Sequence, residues 1–88
     1  MYRIGFATDI HKLVSERPLI LGGIKIPFEK GLDGHSDADV VLHAVAESIL
    51  GALARGDLGT HFPPSDDKFK DCNSSYFVEK CVEMMEEA

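Results

Sequence analysis

The sequence has no apolar stretch approaching the ~20 residues that a membrane-spanning helix requires, because Asp, His, Glu or Gly interrupts each of its longest apolar runs. It has no basic cluster either. Lys and Arg number 9 against 15 Asp and Glu, they are scattered, and the net charge is −6, which argues against a nucleic-acid groove. An anionic ligand would gain nothing from that overall charge, so a bound cation would have to supply the attraction locally. Cysteine is scarce. Cys72 and Cys81 do not form a Cys-x-x-Cys pair, and both are expected reduced and structural in a cytoplasmic protein. No repeat, low-complexity tract or linker divides the chain, so residues 1–88 are expected to form a single domain. A first strand is expected from Tyr2, leaving no room before it for a signal or transit segment. Finally, no Ser or Cys stands next to a base as an activated nucleophile would.

What is present suits a soluble globular domain: 44% hydrophobic and 27% charged residues. A chain of 88 residues buries a modest core and is marginal unless a metal or an oligomer supports it.

The most informative stretch is Asp9-Ile10-His11, at the end of the apolar run from Tyr2. In an extended strand alternate side chains share a face, so Asp9 and His11 project together. A carboxylate beside an imidazole is two parts of a metal site, and His43 is the candidate third ligand. Three Asp and His ligands suit a zinc-like ion with one position open to substrate.

Tyr2 to Ala7 reads as a strand and residues 12–18 as a loop. Leu19–Leu21 and Ile24–Ile26 read as a hairpin turning on Gly22-Gly23, with Pro27 ending the second run. Residues 28–36 read as a loop. A helix follows, with Ser36 as N-cap, Asp39 completing a capping-box-like pattern, and free N–H groups offered to an anion near His35-Ser36. Val41, Leu42, Val45, Ile49, Ala52 and Leu53 fall on its apolar face; Asp39, His43 and Glu47 form a polar stripe opposite, with the carboxylates placed to orient the imidazole. Gly56 is a natural helix stop. After a Pro-, Gly- and Asp-rich loop, Asn73 or Ser74 caps a last helix whose expected buried stripe is Phe77, Val78, Cys81, Val82 and Met85. No stop signal precedes Ala88, so the chain is expected to be cut within or at the end of an element.

The residues alone leave plainer readings open. Asp9 and His11 could be a strand-end hydrogen-bonded pair, and His43 a half-exposed helix histidine paired with Asp39 or Glu47. Asp57-Leu58-Gly59 could be an ordinary turn, and His61 has no supporting pattern.

Taken in order, Gly5 to His11, Leu21 to Pro27, Lys30 to Ala44, Gly56 to Gly59 and Phe62-Pro63 resemble 2-C-methyl-D-erythritol 2,4-cyclodiphosphate synthase, an enzyme family of non-mevalonate isoprenoid biosynthesis. The likeness covers the N-terminal half of that family. It implies an α+β fold, a mixed β-sheet with helices on one face plus a β-hairpin (the chorismate-mutase-like arrangement), assembled as a homotrimer. It implies a phosphorus–oxygen lyase acting on a small CDP-linked substrate, with neither nucleic acid nor membrane as partner. By resemblance Asp9, His11 and His43 hold Zn²⁺, and Mg²⁺ or Mn²⁺ accompanies the substrate diphosphate. His35 stabilises the transition state. Asp9, Ile10, His11, His35, Ser36, Asp57, Leu58, Gly59, Phe62, Pro63, Pro64, Ser65 and Asp66 line the substrate. The family often carries Asp where Pro64 stands and Asp where Glu47 stands. The half beyond Ala88 would hold the cytidine pocket, so an 88-residue product alone is expected to bind metal without turning over.

Overall fold

The computed structural model describes residues 2–88. The fold is α+β, built from two short antiparallel strand pairs and helices packed around a small core. β1 (Leu13–Ser15) pairs antiparallel with β4 (Lys30–Leu32), with Val14 opposite Gly31. β2 (Leu19–Leu21) and β3 (Ile24–Ile26) form the expected hairpin. Gly22 and Gly23 sit at φ +62° and +81°, the left-handed region that such a two-residue turn demands. Gly31 answers a different need: a Cβ there would collide with the carbonyl oxygens of Arg17 and Pro18.

Two expectations change here. The loop regions 12–18 and 28–36 contribute β1 and β4. The apolar run from Tyr2 forms no strand, because a strand needs a hydrogen-bonded neighbour and no strand among the described residues pairs with it. Its backbone lies instead against a helix, close enough that a Cβ on Gly5 would strike Ser48 and reach 2.9 Å from the Ala52 nitrogen. Tyr2, Ile4, Phe6 and Ile10 face outward.

α1 spans Val40–Leu53. Its N-cap is Asp39, not Ser36: the carboxylate accepts the Leu42 N–H at 3.1 Å. The same buried carboxylate accepts the N–H groups of Gly22 and Gly23 at 2.9 and 2.6 Å, fastening the hairpin turn to the helix start. An anion finds no vacant helix N-terminus at Ser36, because the helix begins later and Asp39 already occupies its end. α1 closes at Ala54, in the left-handed region at φ 55°.

The buried face of α1 matches the expected one only in part, with Ile49 packed on the core. His43, Ala46 and Leu50 point inward with Asp39 just before them, while Val41 and Val45 remain 44% and 42% exposed. The polar stripe faces the interior because non-local polar groups meet it there.

α2 (Leu58–His61) and a 3₁₀ turn (Asp67–Phe69) lead into α3 (Ser75–Glu87), which packs on α1. The core comprises Ala46, Leu50, Phe69, Phe77 and Cys81, with Phe62, Tyr76 and Met84 packed around it. Phe62 and Phe77 have ring centroids 4.9 Å apart, and Phe69 meets both in an edge-on cluster of the kind aromatic quadrupoles favour. Met85, expected in the buried stripe, is about half exposed; Met84 takes that place. Both cysteines are free thiols. Among the described residues no helix is long and apolar enough to cross a membrane.

Candidate metal centre

Asp9 and His11 arrive from the N-terminal segment and His43 from the first turn of α1, and their side chains converge. Asp9 Oδ2 lies 3.0 Å from His11 Nε2 and 3.2 Å from His43 Nδ1, and the two nitrogens are 3.3 Å apart. A tetrahedral ion holding N and O ligands at about 2.0–2.1 Å keeps them about 3.3–3.4 Å from one another. The triangle of donors has that size.

The neighbours decide which way each lone pair points. His11 Nδ1 lies 2.9 Å from the Asp33 carbonyl, which only accepts, so Nδ1 carries the proton and Nε2 turns a lone pair inward. Ser74 Oγ donates to the Asp37 carboxylate, so it accepts the Nε2–H of His43 at 2.8 Å, leaving the Nδ1 lone pair directed at the centre. Asp9 Oδ1 accepts the Ile10 N–H at 3.0 Å, which turns Oδ2 toward both rings. Three lone pairs aimed at one point repel unless a cation stands between them. Burial holds the His43 imidazolium below its ordinary range and His11 pushes the same way, against an opposing pull from Asp9. The neutral ring that ligates a metal is thereby favoured over a proton filling the gap. Asp9, His11 and His43 thus form a group able to hold a metal ion.

The carboxylates of Asp39 and Glu47, expected to orient His43, make no hydrogen bond to its ring; Asp39 meets His43 only through its carbonyl, which accepts the His43 N–H at 3.0 Å. Asp39 serves the hairpin, and Glu47 accepts the Leu58 N–H at 2.9 Å, tying α2 to α1. Ser74, which by sequence reads as a helix cap, and Asp37 stand instead behind the His43 ring. The contact spans 31 residues, so no local pattern announces it.

Ser36 is buried, with Oγ 3.2 Å from His43 Nε2, where it also accepts the Ala38 N–H at 3.2 Å. His35 Nε2–H donates to the Asp66 carbonyl at 2.9 Å, joining the His35-Ser36 loop to the Phe62–Asp66 loop. Within the latter, the Asp66 N–H returns to the Pro63 carbonyl at 3.0 Å, while Pro64 and Ser65 are exposed. Arg17 braces the same region, its guanidinium donating to the carbonyls of Leu32 and Ser36, each at 3.0 Å. Asp57 caps α2 by accepting from Thr60 N and Oγ1, and these bonds hold its carboxyl below the usual range. No hydrogen bond among the described residues joins Asp57, Leu58 or Gly59 to the Asp9–His11–His43 group. Ile10 is 90% exposed. His61 ties α2 back to the turn that follows α1 through the Arg55 carbonyl at 2.7 Å.

Known proteins match this chain along nearly its whole length. A 2-C-methyl-D-erythritol 2,4-cyclodiphosphate synthase from Salinibacter ruber is 57% identical over 86 residues, covering 98% of this chain and 55% of that protein. One from Geobacillus kaustophilus is 61% identical over 75 residues, 85% of this chain and 48% of the relative. A solved 2C-methyl-D-erythritol-2,4-cyclodiphosphate synthase superposes with a TM-score of 0.89 at 38% identity, over 97% of this chain and 57% of that one. The bifunctional IspDF from Campylobacter jejuni superposes at 0.85 and 38% identity, over 93% of this chain and 22% of that one. The chain thus spans about half the length of the curated relatives it matches. With residues 2–88 matching the family's sequence profile as well, the chain belongs to the YgbB family.

Proposed function

We propose that the protein carrying this chain closes 4-diphosphocytidyl-2-C-methyl-D-erythritol 2-phosphate into 2-C-methyl-D-erythritol 2,4-cyclodiphosphate with release of CMP, a phosphorus–oxygen lyase step in isoprenoid biosynthesis. The observation carrying this reading is the convergence of Asp9 Oδ2, His11 Nε2 and His43 Nδ1 within 3.0–3.3 Å, in a chain so similar to proteins of that name. In this reading Asp9, His11 and His43 would hold Zn²⁺, which would supply positive charge to neutralise a substrate phosphate.

In this reaction a 2-phosphate oxygen bonds to the β-phosphorus, the bond from that phosphorus to the bridging oxygen breaks, and CMP leaves with that oxygen. Both reacting groups belong to one molecule, so the protein's task is positioning and charge neutralisation rather than supplying a nucleophile. His35 and Ser36 are assigned to the phosphate: the Ser36 oxygen faces two N–H groups, those of Ala38 and His43 Nε2, so its own proton can be given to an anion. The brace from Arg17 keeps that loop in register with the metal ligands. Asp57–Gly59 and Phe62–Asp66 are assigned to the methylerythritol side. Pro64 offers no carboxylate, so contacts there fall to the backbone. The assembly is a homotrimer with sites between subunits. The cytidine pocket and the ligand for Mg²⁺ or Mn²⁺ belong to family residues beyond those matched here.

The test is product analysis in H₂¹⁸O with Zn²⁺ and Mg²⁺ present, using the full-length protein. The proposal requires CMP and a cyclic diphosphate with no heavy oxygen in either. A linear phosphate carrying ¹⁸O would instead mark a metal-dependent phosphoesterase.

A further inference from the structure

Ser74 stands where a helix cap belongs, yet its side chain does not cap α3. Asn73 accepts the Ser75 N–H at 3.0 Å in its stead. The Ser74 hydroxyl is turned away into a fully buried position between His43 Nε2 and Asp37. Asp37 is itself fixed: beyond the Ser74 hydroxyl, its oxygens accept the Ser74 N–H at 3.0 Å and the Asp39 N–H at 3.1 Å. Two backbone bonds, Asp37 N–H to Cys72 O at 3.0 Å and Asp71 N–H to His35 O at 2.8 Å, clamp the two loops so that this spacing is held.

We infer that Ser74 and Asp37 are positioning residues for the metal centre, acting together to select the His43 tautomer that presents Nδ1 to the ion. The selection has a competitor. Asp9 Oδ2 lies 3.2 Å from His43 Nδ1, so in the metal-free protein a proton on Nδ1 would find a carboxylate partner. That tautomer cannot ligate through Nδ1. Ser74 opposes it by accepting at Nε2, and it can accept because Asp37 takes its own proton. Ser36 is a poorer substitute at 3.2 Å, with its oxygen already engaged by Ala38. The group behind a metal-bound histidine commonly sets its orientation and basicity in this way. Here it also links metal affinity to the start of α3.

The inference rests on the metal reading of the triad, and two readouts keep them apart. Imidazole ¹⁵N NMR on the metal-free chain reports the His43 tautomer. Competition against a chromophoric chelator reports Zn²⁺ affinity. The parent chain should show protonated Nε2. Ser74→Ala should raise the Nδ1–H population and weaken Zn²⁺ binding about 10–100-fold. Ser74→Thr, which keeps the hydroxyl, should restore most of both. Asp37→Asn should move both readouts in the same direction as Ser74→Ala, and it supplies the test if Ser74→Ala does not fold. A folded Ser74→Ala or Asp37→Asn with parental affinity and an unchanged tautomer overturns the inference. Equal loss in Ser74→Ala and Ser74→Thr without a tautomer change overturns it too, since that is a packing effect. If the parent itself takes up no Zn²⁺, the metal reading fails, and the tautomer measurement still decides the role of Ser74.

Discussion

The hydroxyl oxygen of Ser74 lies 2.8 Å from Nε2 of His43 across 31 residues of sequence, joining the start of α3 to a histidine on α1. Through that contact the start of α3 reaches the candidate metal centre. Phe77, one turn into α3, also packs against the His43 ring with centroids 5.7 Å apart. The His43 ring is therefore gripped on its edge by Ser74 and alongside by Phe77, with only Nδ1 left toward Asp9 and His11.

Removing a ligand should be far more damaging than disturbing its support. His43→Ala and His11→Ala should each lose more than the ~100-fold in Zn²⁺ affinity that marks the upper range for supporting residues. Equilibrium dialysis with metal analysis reads this directly. Since His11 is only half-buried, its variant separates ligand loss from core disruption. A His11→Ala chain that retains parental affinity would remove His11 from the site.

Gly31 should not tolerate a side chain. A Cβ would meet the carbonyl oxygens of Arg17 and Pro18, and backbone gives way less readily than a side chain end. Gly31→Ala should destabilise by about 1–3 kcal/mol, the usual range for overpacking. Gly23→Asn is the contrast: φ is +81° but nothing lies within 4 Å, and Asn visits the left-handed region readily. Urea unfolding should show a lowered midpoint for Gly31→Ala and little change for Gly23→Asn. Equal midpoints for Gly31→Ala and the parent would contradict the packing described.

Asp39→Ala should cost about 2–4 kcal/mol, combining a lost helix cap with N–H groups left unpaired. The Gly22 and Gly23 amides should exchange with solvent much faster in the variant, since both donate to this carboxylate. Unchanged exchange at those two amides would show that the hairpin is held to α1 by something else.

The thiols give a pH signature. Burial pushes both Cys72 and Cys81 up, with smaller contributions from Asp37 and Glu47 respectively. The unfolded chain therefore ionises first, near pH 9.0, and holds fewer protons than the folded chain above that point. Stability is unaffected by these groups below that pH and falls as pH rises through it. At pH 8 a maleimide should label Cys72, which is partly exposed, well before the fully buried Cys81, which should react only on unfolding. Equal labelling rates under native conditions would refute the placement of Cys81 in the core.

Local signals were readable in the sequence; long-range ones were not. Gly22-Gly23 declares its turn because the backbone conformation needs no partner elsewhere. Asp9-Ile10-His11 and His43 were legible through their residue types and order. The Tyr2–Ala7 run alternates like a strand, but alternation cannot show whether a neighbouring strand is there to pair. On α1 apolar Val41 and Val45 stay exposed while polar Asp39 and His43 turn inward, although Ile49 of the expected face does pack on the core. What reverses that expectation is non-local: Gly22 and Gly23 satisfy Asp39, while Asp9, Ser36 and Ser74 surround His43. The identity of the cap followed the same logic. Ser36 has the right chemistry for one, yet its hydroxyl is drawn to His43 and the Ala38 N–H, and Asp39 takes the helix end.

The central claim is an open metal centre built on three side chains, and anomalous diffraction at the zinc edge tests it most directly. Crystals of the full-length protein grown with Zn²⁺ should show one ion about 2.0–2.2 Å from Asp9 Oδ2, His11 Nε2 and His43 Nδ1, with its fourth position left to solvent or a phosphate oxygen. A peak with four protein ligands, or none at this triad, would contradict the account.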